Sequence, residues 1–512
     1  MASIKRDDNT VKKINKVAVT VTAMLAMIAM IMSSTMVNVA IPDIMGAFGI
    51  GQDQAHWIST GFLSAMTAGM LLNAWLVTNF GPRNVFIGAL TFFSVVAIGG
   101  QYAPTFEGVV IARIAQGLCA GLIQPLALST VYLAYPPEQR GPAMGWFGLG
   151  IVFGPTIGPV LGGMIVDFAQ WRFVFSAPVP IMVIAALMAS MFMPGRDLNK
   201  PRTPFNIFSF FSITAAIMLF LSGISAGQRD GWNTDPVFYM LFGSALALTI
   251  FLLVESGSRA PLLQIRLFQY RNYVASALIA FIFGAGMFGS LYIIPVMVQT
   301  IHGFTALKAG LMLLPGGIVS MIVFPVAGRL STKVNPSRTI AVGLGVFGIS
   351  CWLLADTGML TSFWIMAFLV AFGRIGLGLV VPSLNLSGMN AVPNELVPFA
   401  AGTLNFVRMT GASIGVTTLA IIIDNRSVGY LASILATQTP NNFVTQDILQ
   451  NLSRQLAHSG LTNLEEMVSS MTYLKMLLSL KAQELAFQDG HASLGMLFVI
   501  GMIASIFLFR RL

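Results

Sequence analysis

Three arginines stand inside long apolar runs of this sequence: Arg113, Arg374 and Arg408. A charge at the centre of a bilayer costs about 2.5–3.5 kcal/mol on insertion scales, so each should face a cavity or a polar partner. One reading is a structural anchor bonded to backbone carbonyls; the other is a group lining a water-filled crevice. The acids follow a different pattern, with Glu107, Asp167, Glu255, Asp356 and Asp424 all falling where apolar runs end. A crevice between the runs would then be net positive and would favour anionic or neutral amphiphiles over lipophilic cations. Amides inside the runs, Asn38, Gln116, Gln124, Gln299, Asn385 and Asn405, either bond across helices or line a path, because burying them unpaired is costly. Asn38, Gln124, Gln299, Arg374, Asn385, Asn405 and Arg408 are the expected lining of a substrate cavity.

Several chemistries are excluded. No Gly-x-x-x-x-Gly-Lys-Ser/Thr stretch exists, so ATP hydrolysis by this chain is not expected. His56, His302, His458 and His491 are scattered at run ends or in one long polar segment, and no His-Glu-x-x-His pattern occurs, so neither an enzyme nor a metal or other cofactor is expected. Cys119 and Cys351 lie in apolar runs and cannot build a disulfide framework. The formal charge of +9 lacks the basic clusters with interleaved aromatics that nucleic acid would call for.

The elements that position these residues are membrane spans. Of 512 residues, 56% are hydrophobic and 9% charged, against about 25% charged in soluble domains. A bilayer core needs about 20 apolar residues per helix. The run Val17–Pro42 is uncharged and too long for a signal-peptide core, so it reads as a retained first span. Further spans begin near Trp57, Val85, Val109, Ala143, Phe173, Phe205, Val237, Tyr273, Ala309, Thr339, Phe363, Ala400 and Ser493, which makes fourteen. This is an all-α polytopic membrane protein.

Loop charges set the orientation. With the amino terminus inside, the cytoplasmic segments hold Lys5, Arg6, Lys12, Lys13, Lys16, Arg83, Arg140, Arg196, Lys200 and Arg202. They also hold Arg259, Arg266, Arg271, Arg329, Lys333, Arg338, Arg510 and Arg511. The short external loops hold only Arg172, Arg229 and Lys308. That asymmetry places both termini in the cytoplasm. Residues 425–490 separate the last two spans and carry apolar spacing such as Ile448, Leu449, Leu452 and Leu456. Some helical cover is expected there, serving as a surface insert, a partner-docking element or an external lid.

Two stretches echo each other about 255–260 residues apart. Gly81-Pro82-Arg83 after span 2 has a counterpart in Gly328 to Arg338 after span 10, and Arg113-Ile114-Ala115-Gln116-Gly117 has one in Arg374-Ile375-Gly376-Leu377-Gly378. Spans 1–6 then correspond to spans 9–14. The expected domains are 1–200, a six-helix bundle; 201–268, an inserted helix pair with linkers; and 269–512, a second six-helix bundle carrying the 425–490 insert. Duplicated halves that rock about a central site are how many transporters work. Span 5 carries Gly150, Gly154-Pro155, Gly158-Pro159 and Gly162-Gly163. Glycines four apart make a flat stripe for close helix approach, either as plain packing or as a hinge that re-packs.

Taken together, the fourteen spans, Arg113-x-x-Gln116-Gly117, the span 5 stripe, Ser34 to Pro42, Trp171 to Phe175 and Leu311 to Pro315 resemble the fourteen-span drug:proton antiporters of the major facilitator superfamily, the EmrB-type exporters above all. The resemblance covers nearly the whole chain. It implies the major facilitator fold, a bacterial inner-membrane location and alternating-access export of drugs or weak acids in exchange for protons. It also implies a periplasmic adaptor and an outer-membrane channel as partners. Carried over residue by residue, Arg113 with Gln116 and Gly117 corresponds to the proton-coupling element of span 4. Gly81 and Arg83 correspond to the gating turn after span 2, and the span 5 stripe to the antiporter motif. The sequence departs from the family at two places. Ser33 occupies the place of an acid, and serine does not titrate; Ala74, Thr78 and Asn79 stand where the span 2 turn usually carries its charges. A dedicated exporter or facilitator of one metabolite, such as a siderophore or lipid-like product, with weak or no proton coupling is the alternative.

Overall fold

The computed structural model describes residues 15–55, 57–196, 202–258, 261–439, 442–456 and 463–508. Lys5, Arg6, Lys12, Lys13, Lys200, Arg259, Arg510, Arg511, His56 and His458, which entered the charge and histidine readings, lie outside these residues. The described chain is helical, with no strand among the described residues. In order, the helices are α1 (Lys16–Val39), α2 (Ile41–Phe48), α3 (Gln52–Ala55), α4 (Trp57–Gln101), α5 (Phe106–Ala134), α6 (Pro137–Phe168), α7 (Phe173–Ser176), α8 (Val179–Phe192) and α9 (Ile207–Asp230). They continue as α10 (Asp235–Ser256), α11 (Arg271–Thr300), α12 (Ala306–Lys333), α13 (Pro336–Ala355), α14 (Phe363–Asn390), α15 (Val397–Ala436), α16 (Phe443–Leu456) and α17 (Asn463–Leu508).

Thirteen of the described helical stretches are long and apolar enough to cross a bilayer. One of them, α4, is 45 residues long and breaks at Gly81, whose φ of 80° precedes Pro82. It therefore supplies spans 2 and 3, and the fourteen spans expected from the sequence are present. Positive φ suits glycine, and a Cβ at Gly81 would also sit 2.6 Å from the Arg196 Cα. Polar caps start several spans: Asn15 accepts from the Ala18 amide, Thr105 from Gly108, Asn206 from Ser209 and Ser362 from Ile365.

The span 13–14 connection is more regular than the sequence suggests. Helix α15 runs unbroken to Ala436 and α17 starts at Asn463. At 1.5 Å per residue they measure about 60 Å and about 69 Å, twice the thickness of a bilayer core. The expected start of span 14 at Ser493 therefore lies well inside a helix that is already formed. With α16 packed on α17, most of 425–490 is helix continuing out of the bundle.

Helix ends gather at two faces. One bears Arg83, Arg140, Arg329 and Lys333, and is termed the basic face. On the other, Phe48 at the end of α2 meets Phe106 at 6.4 Å and Trp171 at 5.9 Å. Within the first six spans α1 packs on α6 and α4 on α5; within the last six α11 packs on α15 and α12 on α14. Contacts between these two sets run through α6 with α12 and through α4 with α15. The pair α9 and α10 pack on each other, and α9 also leans on α4 and α15.

Candidate functional site

Arg113 is fully buried where α4 and α5 cross. Its Nε donates to the Ile58 carbonyl at 3.4 Å, its Nη1 donates to Gln116 Oε1 at 3.0 Å, and the guanidinium lies 4.1 Å from the centre of the Phe62 ring. No ion pair forms there among the described residues, and Nη2 has no hydrogen-bond partner. Gln116 Nε2 and Ser33 Oγ are likewise buried and unpaired. Gly117, one turn on, faces the Phe62 backbone, with the Phe62 Cα 3.0 Å from where a Cβ would stand. The two helices touch backbone to backbone at this level. Gly81 and Arg83 belong to a different cluster. Arg83 Nε donates to the Met193 carbonyl at 2.9 Å and its amide to Pro194 at 3.1 Å, so it ties the end of span 6 rather than an acid. Beside it, Asn79 exchanges two hydrogen bonds with Thr203, and Trp75 Nε1 donates to the Thr203 carbonyl at 3.1 Å. The polar residues in place of the usual charges hold the linker into the inserted pair.

The glycines of α6 form two rows. The row singled out in the sequence, Gly150, Gly154, Gly158 and Gly162, faces α1. A Cβ at Gly150 would stand 3.2 Å from the Met24 carbonyl, at Gly154 3.2 Å from the Met32 amide, and at Gly162 3.0 Å from the Met36 Cα. Thr35 Oγ1 also bonds to the Gly154 carbonyl at 3.3 Å. Pro155 lies one residue off this row and lines a narrow cleft instead, and a Cβ at Gly163, likewise one residue off it, meets nothing within 4 Å. The second row, Gly141, Gly145 and Gly148, faces α12. There a Cβ at Gly145 would stand 2.6 Å from the Phe324 carbonyl and 3.0 Å from the Gly328 Cα. Sequence reasoning missed this row, although the Gly141-x-x-x-Gly145 spacing was there to be found.

The α6–α12 seam ends at Thr156 against Gly317, where a Cβ would come within 2.7 Å; beyond it Gly163 and Gly310 have open space. The α4–α15 seam behaves the same way. Asn73 Nδ2 donates to the Pro398 carbonyl at 3.4 Å and Gly402 abuts the Met70 carbonyl, both toward the basic face. Nearer the other face these helices part around a cavity of about 440 Å³. The two sets of helices are thus closed at the basic face and open at the opposite one.

Between the sets, Arg374 lines a cleft with Ile151, Pro155, Thr156, Leu313 and Ser320. Counted from Phe363 it lies about 16 Å down its helix, near mid-depth. It also lines a smaller pocket with His491, Cys351, Ser290 and Ser350. His491 is 1% exposed, with Nδ1 on the Phe487 carbonyl at 3.1 Å and Nε2 unpaired. Its burial inside α17 corrects the expectation that every histidine lies at a span end or in a loop. The remaining residues do not all converge. Arg408 bonds to Asn405, whose Nδ2 donates to the Ala401 carbonyl. Gln124 and Asn385 are buried, each with an unpaired carbonyl oxygen. Asn38 and Gln299 are exposed near the face opposite the basic one, where Asn38 accepts from Ser59 and Gln299 donates to the Pro295 carbonyl.

At the basic face one network spans both sets. Arg140 Nη1 donates to the Tyr132 hydroxyl at 2.8 Å, and its guanidinium lies 4.1 Å from the centre of that ring. Tyr132 donates to Asn390 Oδ1 at 2.6 Å, and Arg140 Nη2 to Asn394 Oδ1 at 3.3 Å. Arg140 was legible in the sequence only as a loop charge, and Tyr132, Asn390 and Asn394 carried no signal because each is an ordinary polar group near a helix end.

Comparison with known proteins gives a consistent picture. The profile described as the Major Facilitator Superfamily matches residues 23–416. The MFS-type transporter YhcA of Bacillus subtilis is 30% identical over 432 residues, covering 83% of this chain and 81% of that protein. The multidrug export protein EmrB of Escherichia coli K12 is 27% identical over 432 residues, 83% and 84% of the two chains. Among solved structures, the human organic anion transporter MFSD10 (TETRAN) superposes with a TM-score of 0.63 over 96% of this chain and 99% of that one, at 13% identity.

Proposed function

The chain belongs to the Major Facilitator Superfamily, a family of membrane transporters, and from that membership we propose that it is a secondary active exporter of amphiphilic small molecules. It works by alternating access across the bacterial cytoplasmic membrane, in exchange for protons. The observation that carries this reading is the glycine seam. Two sets of helices meet backbone to backbone at the basic face, stand apart at the other, and leave Arg374 on the wall between them. The halves 1–200 and 269–512 would rock about that seam, with the basic face and both termini in the cytoplasm, as the loop charges favour. The similarity to the multidrug export protein EmrB supports a drug-like cargo, and a periplasmic adaptor and an outer-membrane channel are the partners that the family resemblance implies.

The charge of the cleft favours anionic or neutral amphiphiles. Arg374 lines it, no acid does among the described residues, and a lipophilic cation would meet an unscreened like charge. For the proton, Ser33 leaves no titrating group on span 1, whereas His491 is buried beside Arg374 with one ring nitrogen free. A proton there would place two cations in one closed pocket and favour its opening. The test is efflux from proteoliposomes under an imposed pH gradient, comparing a fluorescent weak acid with a lipophilic cation of similar size. Acid efflux should rise with the gradient. Efflux indifferent to it, or cations handled better than acids, refutes the reading.

A further inference from the structure

The cavity around which α4 and α15 part is not lined by Arg374, and its walls are unlike the Arg374 cleft. It measures about 440 Å³, within the usual range for small-molecule sites. Its sides come from α4, α9, α10, α11 and α15, so the inserted pair closes what would otherwise be a gap between the two six-helix sets. Thr60 and Thr67 lie about 5–15 Å from the start of α4, which places the cavity in the half of the bundle away from the basic face. Leu248, on the outermost helix α10, is 44% exposed at its edge. No charged residue lines it.

The polar atoms that do line it are hydroxyls, and most are already committed as donors. Thr67 donates to the Leu63 carbonyl at 2.8 Å, Ser244 to Ala216 at 2.8 Å, Thr410 to Phe406 at 3.0 Å and Thr417 to Ser413 at 3.0 Å. Each such oxygen keeps lone pairs free and has no further proton to give. Phe220, Phe288 and Phe406 line it as well. The wall accepts hydrogen bonds and offers apolar surface, without a counter-charge for either sign.

We propose that this cavity is a second binding site, for a neutral amphiphile with an apolar chain and a hydrogen-bond-donating head such as an alcohol, taken up from the adjoining bilayer leaflet. A carboxylate would set its lone pairs against those of the threonines, and an ammonium, although the hydroxyls could accept from it, would be buried without a counter-charge, so both are disfavoured. The site is separate from the Arg374 cleft, and binding to it does not depend on whether the chain couples transport to protons.

The test uses the full chain in lipid nanodiscs and a long-chain fatty alcohol carrying a photoactivatable diazirine, with the matching fatty acid as comparison. Labelling should map to cavity residues of α9 and α15, and unlabelled alcohol should compete it away. Thr410→Val, which keeps the volume and removes the acceptor, should lower labelling about fivefold. Ala216→Phe, which fills the space, should abolish it in protein that retains its unfolding temperature. Labels confined to outward residues such as Phe208, Phe211 and Phe242, with no competition, would overturn the proposal. So would equal labelling by the fatty acid, or labelling unchanged in both variants.

Discussion

Gly145→Ala isolates the step on which alternation rests. In the observed state the added methyl would sit 2.6 Å from the Phe324 carbonyl oxygen, about 0.8 Å inside the 3.4 Å at which ordinary contact begins. The obstructing atoms belong to backbone, Phe324 O with the Gly328 and Pro325 Cα atoms, so no rotamer change relieves the clash. Overpacking of this kind costs about 1–3 kcal/mol, and only while the basic face is closed. The gain in helix propensity from glycine to alanine, about 1 kcal/mol, is common to both conformations and cancels. The equilibrium should therefore move toward the state open at the basic face by about 5- to 150-fold. Spin labels on Gly163→Cys and Gly310→Cys, placed where the structure leaves open space, report the separation at the opposite face once Cys119 and Cys351 are replaced by alanine. The long-distance population should shrink in Gly145→Ala and stay unchanged in Gly99→Ala, where a methyl meets nothing within 4 Å. An unchanged distribution, or equal responses from the two variants, would refute the seam as the moving interface.

Four further outcomes follow from the same contacts. Gly154→Ala places its methyl against α1, so the label distances should stay as in the parent while the unfolding temperature falls; a shifted distribution would make the first glycine row a moving hinge after all. Tyr132→Phe removes the hydroxyl that links Arg140 to Asn390, a loss of about 1 kcal/mol that should shrink the long-distance population about fivefold, read with the same labels. His491→Gln should leave downhill efflux intact and make it indifferent to the pH gradient; retained gradient dependence would remove His491 from the coupling. Arg113→Met should lower thermal stability by about 1–3 kcal/mol, because two hydrogen bonds and a ring contact disappear from a closed site, measured by thermal unfolding in detergent.

The sequence exposes what composition and periodicity govern and hides what depends on neighbours. Fourteen apolar runs, the break at Gly81-Pro82 and the close-packing glycines are local patterns, and the structure contains all three. Which partner each glycine row meets is not local. The Gly150–Gly162 row was legible as a stripe, yet the residues of α1 that it faces, Met24 to Met36, are more than 120 positions away in sequence, and nothing in the stripe names them. Arg113 was legible as a buried charge for the same reason that it is costly, but its partners are a backbone carbonyl and a ring, which no charge pattern reveals. His491 sits where a helix continues past its expected start, so a boundary placed at Ser493 hid it.

The ties at the basic face also set the size of the energy that must be spent to open it. Where a salt bridge is usual after span 2, this chain has Asn79, and the cross-links between the two sets are hydrogen bonds from Arg140, Tyr132 and Asn73 to neutral groups. At about 1 kcal/mol each, half-exposed bonds of this kind sum to a few kcal/mol. One proton crossing roughly 100 mV releases about 2.3 kcal/mol, a shift of about fiftyfold between two states. A complete reversal from 1:99 to 99:1 needs about 5.5 kcal/mol. A gate built on a strong buried ion pair would lie beyond what one proton can move, whereas neutral links over a glycine seam keep the two conformations close enough for a proton and a bound substrate together to reverse them. The weaker turn after span 2 is therefore compatible with coupled transport, provided that a titrating group lies elsewhere; His491, which lines one pocket with Arg374, is the group proposed for that role and tested by His491→Gln.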